Sequence, residues 1–194
     1  MNQIDNGKFV ISLDFELQWG VRDKRSIEEY GQNIVNVHKV IPRLLDVFNN
    51  NGIKATFATL GFLFFESKET LLQNLPEIFP EYTNKNLSPY NGYFEKLGTD
   101  AKTDFFHFAP QLIKLIKQYP EQEIASHTFS HYYCLEPGQK IDEFKADIIT
   151  AQKVALEQGI QLKSLVFPRN QYRDDYLEVC KEAGIISYRG NEHS

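Results

Sequence analysis

Apolar and polar positions follow two alternating patterns along this chain. Short runs rich in β-branched and aromatic residues predict strands, and longer segments with apolar residues every three or four positions predict helices. The predicted strands are Lys8–Phe15, Ile53–Leu60, Glu123–Thr128, Leu162–Pro168 and Ile185–Gly190. The predicted helices are Asn33–Gly52, Lys68–Asn74, Phe108–Pro120, Ile141–Ile160 and Asp174–Gly184. Strands that alternate with helices in this order favour a parallel α/β fold.

The length of 194 residues is typical of one domain, so residues 1–194 are predicted to form a single catalytic domain. Residues from about 61 to 103 are the least regular part and are predicted to form an insertion over one face. Pro42 lies inside the first predicted helix and predicts a bend or the start of a second helix.

Composition and charge exclude several classes of protein. Hydrophobic residues make up 42% and charged residues 24%, as in ordinary globular domains. The net charge of −5 and the scattered Lys and Arg residues argue against a nucleic-acid partner. No apolar run approaches the length of a membrane helix, and the N-terminus lacks the pattern of a signal peptide. We therefore expect a cytoplasmic protein without a transmembrane segment, and the sequence leaves its oligomeric state open.

Chemically suggestive residues lie where the predicted strands end. Asp14 and Glu16 in "DFE" close the first strand, and His127 and His131 in "HTFSH" close the third. In parallel βα folds, ligands bind at this edge of the sheet. Alternate residues of a strand share a face, so the two carboxylates are expected together, and histidines four apart can meet one ion if their segment is helical.

Two histidines and one carboxylate suit a divalent metal, with Zn²⁺ as the expected ion. Two neighbouring carboxylates repel unless a cation or a shared proton relieves them. The carboxylate that is not a ligand could then act as a general base, which indicates a hydrolase.

The chain from Lys8 to Gly190 resembles the polysaccharide deacetylases with the NodB homology fold, carbohydrate esterase family four. The similarity rests on "SLDFE", "HTFSH" and "FPRNQY" in that order. The resemblance implies an irregular (β/α)₇ barrel, with Asp14 as catalytic base and Glu16, His127 and His131 as metal ligands.

The third motif supplies further candidates. By resemblance, Arg169 would be a catalytic residue that pairs with Asp14 and orients it, although here Pro168 precedes the arginine. Asn170 and Tyr172 are candidates for contacts to substrate. Trp19 could stack on a sugar ring, and core packing is its alternative role.

The chain departs from the family pattern in two further ways. Its acids are separated by Phe15 and not adjacent, so the base and ligand roles of Asp14 and Glu16 could be exchanged. The family's later motifs have no counterpart, which predicts a fold incomplete at its C-terminus, without the histidine that serves as general acid. His38, His107 and His193 are not expected to be catalytic.

The predicted function is a metal-dependent hydrolase that removes an N- or O-acetyl group from a sugar unit of a polysaccharide or its precursor. The expected partner is therefore an acetylated sugar or oligosaccharide. One alternative is an amidase that acts on a small non-sugar amide. The other is a non-catalytic, polysaccharide-related binding domain with a residual metal site.

Overall fold

A five-stranded parallel sheet forms the centre of the computed structural model, which describes residues 9–190. The strands are β1 (Ser12–Phe15), β2 (Thr56–Thr59), β3 (Glu123–Ser126), β4 (Ser164–Val166) and β5 (Ser187–Arg189), paired in chain order. All four pairings are parallel, so the prediction of a parallel α/β fold is confirmed. Lys8 and His193, named above, lie outside the described residues.

Five α-helices connect or flank these strands. They are α1 (Ile27–Asn50), α2 (Lys68–Gln73), α3 (Pro110–Lys117), α4 (Ile141–Glu157) and α5 (Asp174–Glu182). Helices α1, α3, α4 and α5 turn apolar residues towards the core, as their periodicity predicts. None of the helices within residues 9–190 is long and apolar enough to cross a membrane.

The two faces of the sheet differ in chemistry because side chains alternate along each strand. One face places Phe15, Phe57, Ile124 and Leu165 in the hydrophobic core. The other face is polar, and its side chains bond across neighbouring strands. Glu123 accepts hydrogen bonds from the hydroxyls of Thr56 (2.6 Å) and Ser164 (2.5 Å).

Helix α1 differs from its prediction in two ways, at its first residue and at Pro42. It begins six residues earlier than predicted, because Ser26 and Glu29 form a capping box in which each side chain accepts from the other's backbone N–H. Pro42 lies inside one continuous helix and neither starts nor ends it. The apolar face formed by Ile34, Ile41 and Leu45 is buried on both sides of the proline, and this packing holds the helix together.

The region predicted as an insertion contains helix α2 and three short 3₁₀ helices, at Gly61–Phe64, Lys85–Leu87 and Tyr93–Lys96. No strand of the five-stranded sheet falls between residues 61 and 103 within the described chain. A buried hydrogen-bonded pair, Asp104 and His107, anchors the end of this region through Nδ1 at 2.8 Å. His107 is thus buried at the end of this region, and Asp104 fixes its ring.

We expect Pro42→Ala to stabilise the protein. A proline inside a helix lacks one N–H donor and crowds the preceding turn, which costs about 3 kcal/mol. Proline also restricts the unfolded chain, so the net gain in free energy of unfolding should be about 1–3 kcal/mol. Urea denaturation measures it, with Val47→Ala on the exposed side of the same helix as control. Unchanged or lower stability would show that the Pro42 ring contributes essential packing.

Candidate metal centre

Three side chains from two strand ends converge on one point. Glu16 follows β1, and His127 and His131 follow β3. The Glu16 Oε2 atom lies 2.9 Å from His127 Nε2 and 2.7 Å from His131 Nε2. The three ligand atoms all lie within 4.8 Å of one another, and both imidazoles are buried. The structure therefore brings together the three residues that the sequence predicts as metal ligands.

The histidines converge through a loop and not through a helix. Thr128 and His131 have left-handed backbone conformations, with φ of 64° and 63°. These two reversals bring the imidazoles to 5.1 Å between ring centroids. The predicted meeting of the two side chains is correct, but the helical conformation assumed for it is wrong.

Asp147, on α4, holds this loop in place. Its carboxylate accepts from the backbone N–H of Phe129 (2.6 Å), the N–H of Ser130 (3.0 Å) and the hydroxyl of Ser130 (2.5 Å). Asp147 is 1% exposed, and burial raises its pKa to about 6 in spite of these hydrogen bonds. The loop backbone is also bonded from the other side, where Gly61 N–H donates to the Thr128 carbonyl at 3.0 Å.

Hydrogen bonds at the Nδ1 atoms orient both imidazoles. His127 Nδ1 lies 2.9 Å from the carbonyl oxygen of Val166. A carbonyl can only accept, so Nδ1 carries a proton, and the tautomer with its single proton there leaves Nε2 free to bind a cation beside Glu16. His131 Nδ1 lies 2.9 Å from the hydroxyl of Tyr133, which permits the same tautomer. Burial lowers the pKa of His131 to about 4, so this ring is neutral near pH 7.

A bare nitrogen that faces a carboxylate oxygen requires a positive charge between them. Without a metal, a proton on Nε2 takes that place: burial by itself raises the pKa of Glu16, but hydrogen bonds and positive charge from the protonated histidines outweigh burial and bring the pKa well below its usual range. Glu16 is therefore ionised near neutral pH. One carboxylate oxygen and two imidazole nitrogens with fixed outer partners are the donor set of a zinc site. The residues present fit a divalent metal.

Gly20 provides the space in which the Glu16 carboxylate lies. A Cβ atom at Gly20 would come within 1.9 Å of Glu16 Oε1 and 2.0 Å of its Cδ. Gly20 ends the 3₁₀ helix Leu17–Gly20, which directly follows Glu16. The sequence "DFELQWG" thus contains both the candidate ligand Glu16 and the glycine that leaves room for its carboxylate.

Asp14 has a different partner from Glu16. Its carboxylate accepts from Arg189 Nη2, at 2.7 Å to Oδ1 and 3.0 Å to Oδ2. Glu16 is the first residue after β1. The group of candidate metal ligands contains Glu16 and not Asp14, and the expected closeness of the two carboxylates stays a prediction.

Arg169 does not pair with Asp14, which corrects the predicted contact. Its Nη2 atom donates to both oxygens of Asp23, at 2.8 and 2.6 Å, and its guanidinium lies 4.5 Å from the centre of the Tyr133 ring. Arg169 has φ of 54°, and this left-handed conformation accompanies the turn away from β4. Because Tyr133 contacts His131, Arg169 supports the histidine side of the site.

The three predicted substrate contacts fall in different environments. Trp19 is fully buried, and its rings contact Phe62 and Tyr93, which is the core-packing alternative. Asn170 accepts from Arg189 Nε at 3.3 Å. Tyr172 packs its ring 5.3 Å from that of Tyr188. Asn170 and Tyr172 remain predictions as substrate contacts.

Several residues of the site were missed in the sequence, although signals for two of them exist. Asp147 lies on the buried, otherwise apolar side of α4, three residues after Phe144 and one before Ile148. A carboxylate there needs partners. Arg189 ends the fifth strand, at the same edge as the predicted ligands. Tyr133 has no comparable signal.

Comparison with known proteins identifies the family. A family model described as polysaccharide deacetylase matches residues 29–187. The chain therefore belongs to the polysaccharide deacetylase family, and the resemblance inferred from its motifs is confirmed. The matched range begins after Asp14 and Glu16. No curated protein sequence matches this chain.

Solved structures of this family share the fold. A de-N-acetylase from Aggregatibacter actinomycetemcomitans is 16% identical with a TM-score of 0.54, over 92% of this chain and 61% of that one. A family 4 carbohydrate esterase from Streptomyces lividans, in complex with acetate, is 14% identical with a TM-score of 0.50, over 94% and 62%.

The fold also occurs in a family 4 pseudoenzyme from Bacillus anthracis, in the structure of a mutant with restored enzymatic activity. The identity is 13% and the TM-score 0.50, over 92% of this chain and 43% of that one. The chain thus spans 43–62% of the lengths of these three structures. Its five parallel strands form a curled half-barrel of the polysaccharide deacetylase type, which confirms the predicted fold class.

Asp147 should make stability depend on pH. Its pKa is raised on folding, so the native state holds its proton more tightly, and the contribution of Asp147 falls as pH rises from about 4 to about 6. A rise of roughly two units corresponds to about 3 kcal/mol. The measurement is the difference in free energy of unfolding between wild type and Asp147→Asn at pH 4–7, with chelator present. Asp142→Asn, an exposed acid on the same helix, is the control. A difference that rises with pH would contradict the assignment.

Gly20→Ala should weaken metal binding without removing a ligand. The added Cβ displaces the Glu16 carboxylate, and changes beside a ligand typically reduce metal affinity on the order of 10–100-fold. Zn²⁺ titration calorimetry measures this, and His127→Ala should lose more. Gly52→Ala places the added carbon in open space, but in a left-handed backbone conformation (φ of 64°), so it controls for the strain of a glycine substitution far from the site. Equal Zn²⁺ affinity of Gly20→Ala and wild type would place the site elsewhere.

Proposed function

We propose that this chain is a metal-dependent hydrolase that removes an acetyl group from a sugar unit of a polysaccharide or its precursor. The observation that carries the proposal is the convergence of Glu16, His127 and His131, whose imidazoles have their Nδ1 atoms engaged and their Nε2 atoms directed at one carboxylate oxygen. Membership of the polysaccharide deacetylase family supports the reaction class.

Glu16, His127 and His131 would hold the metal, and Zn²⁺ is the ion proposed. A divalent cation there supplies Lewis acidity, which polarises an amide carbonyl and acidifies water. The three ligands carry one negative charge in total, because both imidazoles bind in the neutral form. Val166 and Tyr133 keep the histidines in the orientation that ligation requires.

Asp14 is proposed as the general base. Its carboxylate lies two residues before Glu16, is held by Arg189, and keeps a side chain that is 39% exposed. In hydrolysis of an acetamide, Asp14 would take a proton from the attacking water as the new carbon–oxygen bond forms. Cleavage of the carbon–nitrogen bond then leaves acetate and a free amine, whose nitrogen receives a proton.

A second candidate function is a non-catalytic domain with a residual metal site. One observation favours it: Asp14 is not part of the converging group of Glu16, His127 and His131, and its carboxylate is engaged by Arg189. Metal binding is common to both candidates, so turnover separates them. Acetate release from an N-acetylglucosamine oligosaccharide and from a small aliphatic acetamide also distinguishes a sugar deacetylase from an amidase.

Asp14→Asn and Glu16→Gln should separate the two acidic roles. Asp14→Asn cannot accept the proton, so turnover should fall on the order of 10²–10⁴-fold while bound Zn²⁺ is retained. Glu16→Gln should lose Zn²⁺ because it removes the charged ligand. Acetate release and elemental analysis of the zinc-loaded 194-residue chain measure both, with Asp175→Asn as a surface control. Metal loss only in Asp14→Asn would exchange the roles, and a wild type that binds Zn²⁺ without turnover would favour the non-catalytic domain.

A further inference from the structure

Arg189 connects the two outer strands of the sheet. It is the last residue of β5, and its Nη1 atom donates to Ser12 Oγ at 2.6 Å while Nη2 binds both oxygens of Asp14. Ser12 and Asp14 lie two residues apart on β1 and share the polar face. Because β1 and β5 are separated by three strands in the sheet order, only a curled sheet allows this contact.

The third nitrogen of the guanidinium is also engaged. Arg189 Nε donates to Asn170 Oδ1 at 3.3 Å, and the Arg189 carbonyl accepts from the backbone N–H of Phe167 at 3.1 Å. Asn170 has φ of 53°, so the turn after β4 directs its amide towards β5. The planar guanidinium is therefore fixed by three residues at once, which a lysine ammonium could not reproduce.

The fold itself gains little from the Arg189–Asp14 ion pair. The two side chains are 36% and 39% exposed, and ion pairs at such exposure typically contribute about 0–1 kcal/mol. A carboxylate offers roughly four lone-pair sites, of which Nη2 occupies one on each oxygen. Asp14 is thus oriented while retaining acceptor sites for another hydrogen-bond donor.

We infer that Arg189 is the positioning residue for Asp14, a role that the family resemblance implied for Arg169. This inference rests on the proposed function, since Asp14 is the proposed base. Arg189 fixes the direction of the carboxylate from the opposite edge of the curled sheet, and Ser12 and Asn170 fix Arg189. Arg169 acts instead on Tyr133.

The kinetic test is a double-mutant cycle in the zinc-loaded 194-residue chain. Arg189→Met should lower kcat about 10²-fold with KM and zinc content unchanged, because a displaced catalytic group loses rate and not binding. Arg189→Lys should restore part of the loss. In the Asp14→Asn background, Arg189→Met should cause no further loss. Arg173→Met, which breaks the exposed Arg173–Asp175 pair, is the matched control. A further loss in the Asp14→Asn background would overturn the inference.

A structural measurement tests the inference independently of turnover. In crystal structures of the metal-free chain, Asp14 should occupy one rotamer in wild type and change or lose that rotamer in Arg189→Met, with the β1 backbone in place. An unchanged Asp14 rotamer would overturn the positioning role. A wild type without turnover would refute the proposed function alone, because the rotamer comparison would still decide what Arg189 does.

Discussion

The site depends on the hydrogen bonds by which Asp147 holds the loop that follows β3. That loop is buried and contains two left-handed residues, Thr128 and His131, so its backbone groups need partners that no helix or strand supplies. Asp147 accepts three hydrogen bonds from it, and the segment after β2 donates to its carbonyls. If the loop relaxed, the two imidazoles would no longer face one point. A buried carboxylate with a raised pKa is the energetic cost of that conformation.

Once the loop is fixed, the chemistry of the site follows from hydrogen-bond direction. The Val166 carbonyl forces the proton of His127 onto Nδ1, so the other nitrogen is available to a cation. Glu16 completes the donor set because Gly20 leaves room for its carboxylate. The orientation of the three candidate ligands is therefore set mainly by neighbours outside that group.

Backbone strain is concentrated at the same edge of the sheet. All non-glycine residues with positive φ in the described chain follow the ends of β1, β3 or β4: Leu17, Thr128, His131, Arg169 and Asn170. Each such conformation costs roughly 1–2 kcal/mol. At three of the five positions, Leu17, Thr128 and His131, the strained residue or its neighbour belongs to the group of Glu16, His127 and His131, so the strain directs these side chains. The strained turns that follow the short strands thus bring side chains from several strands together at one edge of the sheet.

The sequence alone determined the order of strands and helices, the family, and the acid and histidine residues of the candidate site at the strand ends, because local periodicity and short motifs encode these features. It also contained the Ser26–Glu29 capping box that begins α1, although Pro42 suggested a break that tertiary packing overrides. The tertiary structure alone decided which charges meet. Arg189 reaches Asp14 across 175 positions, and Arg169 reaches Asp23 across 146. These pairings depend on how far the sheet curls and how each turn is strained, which no local pattern records. The left-handed path between His127 and His131 was likewise set by Asp147 and by the loop after β2, through contacts distant in sequence.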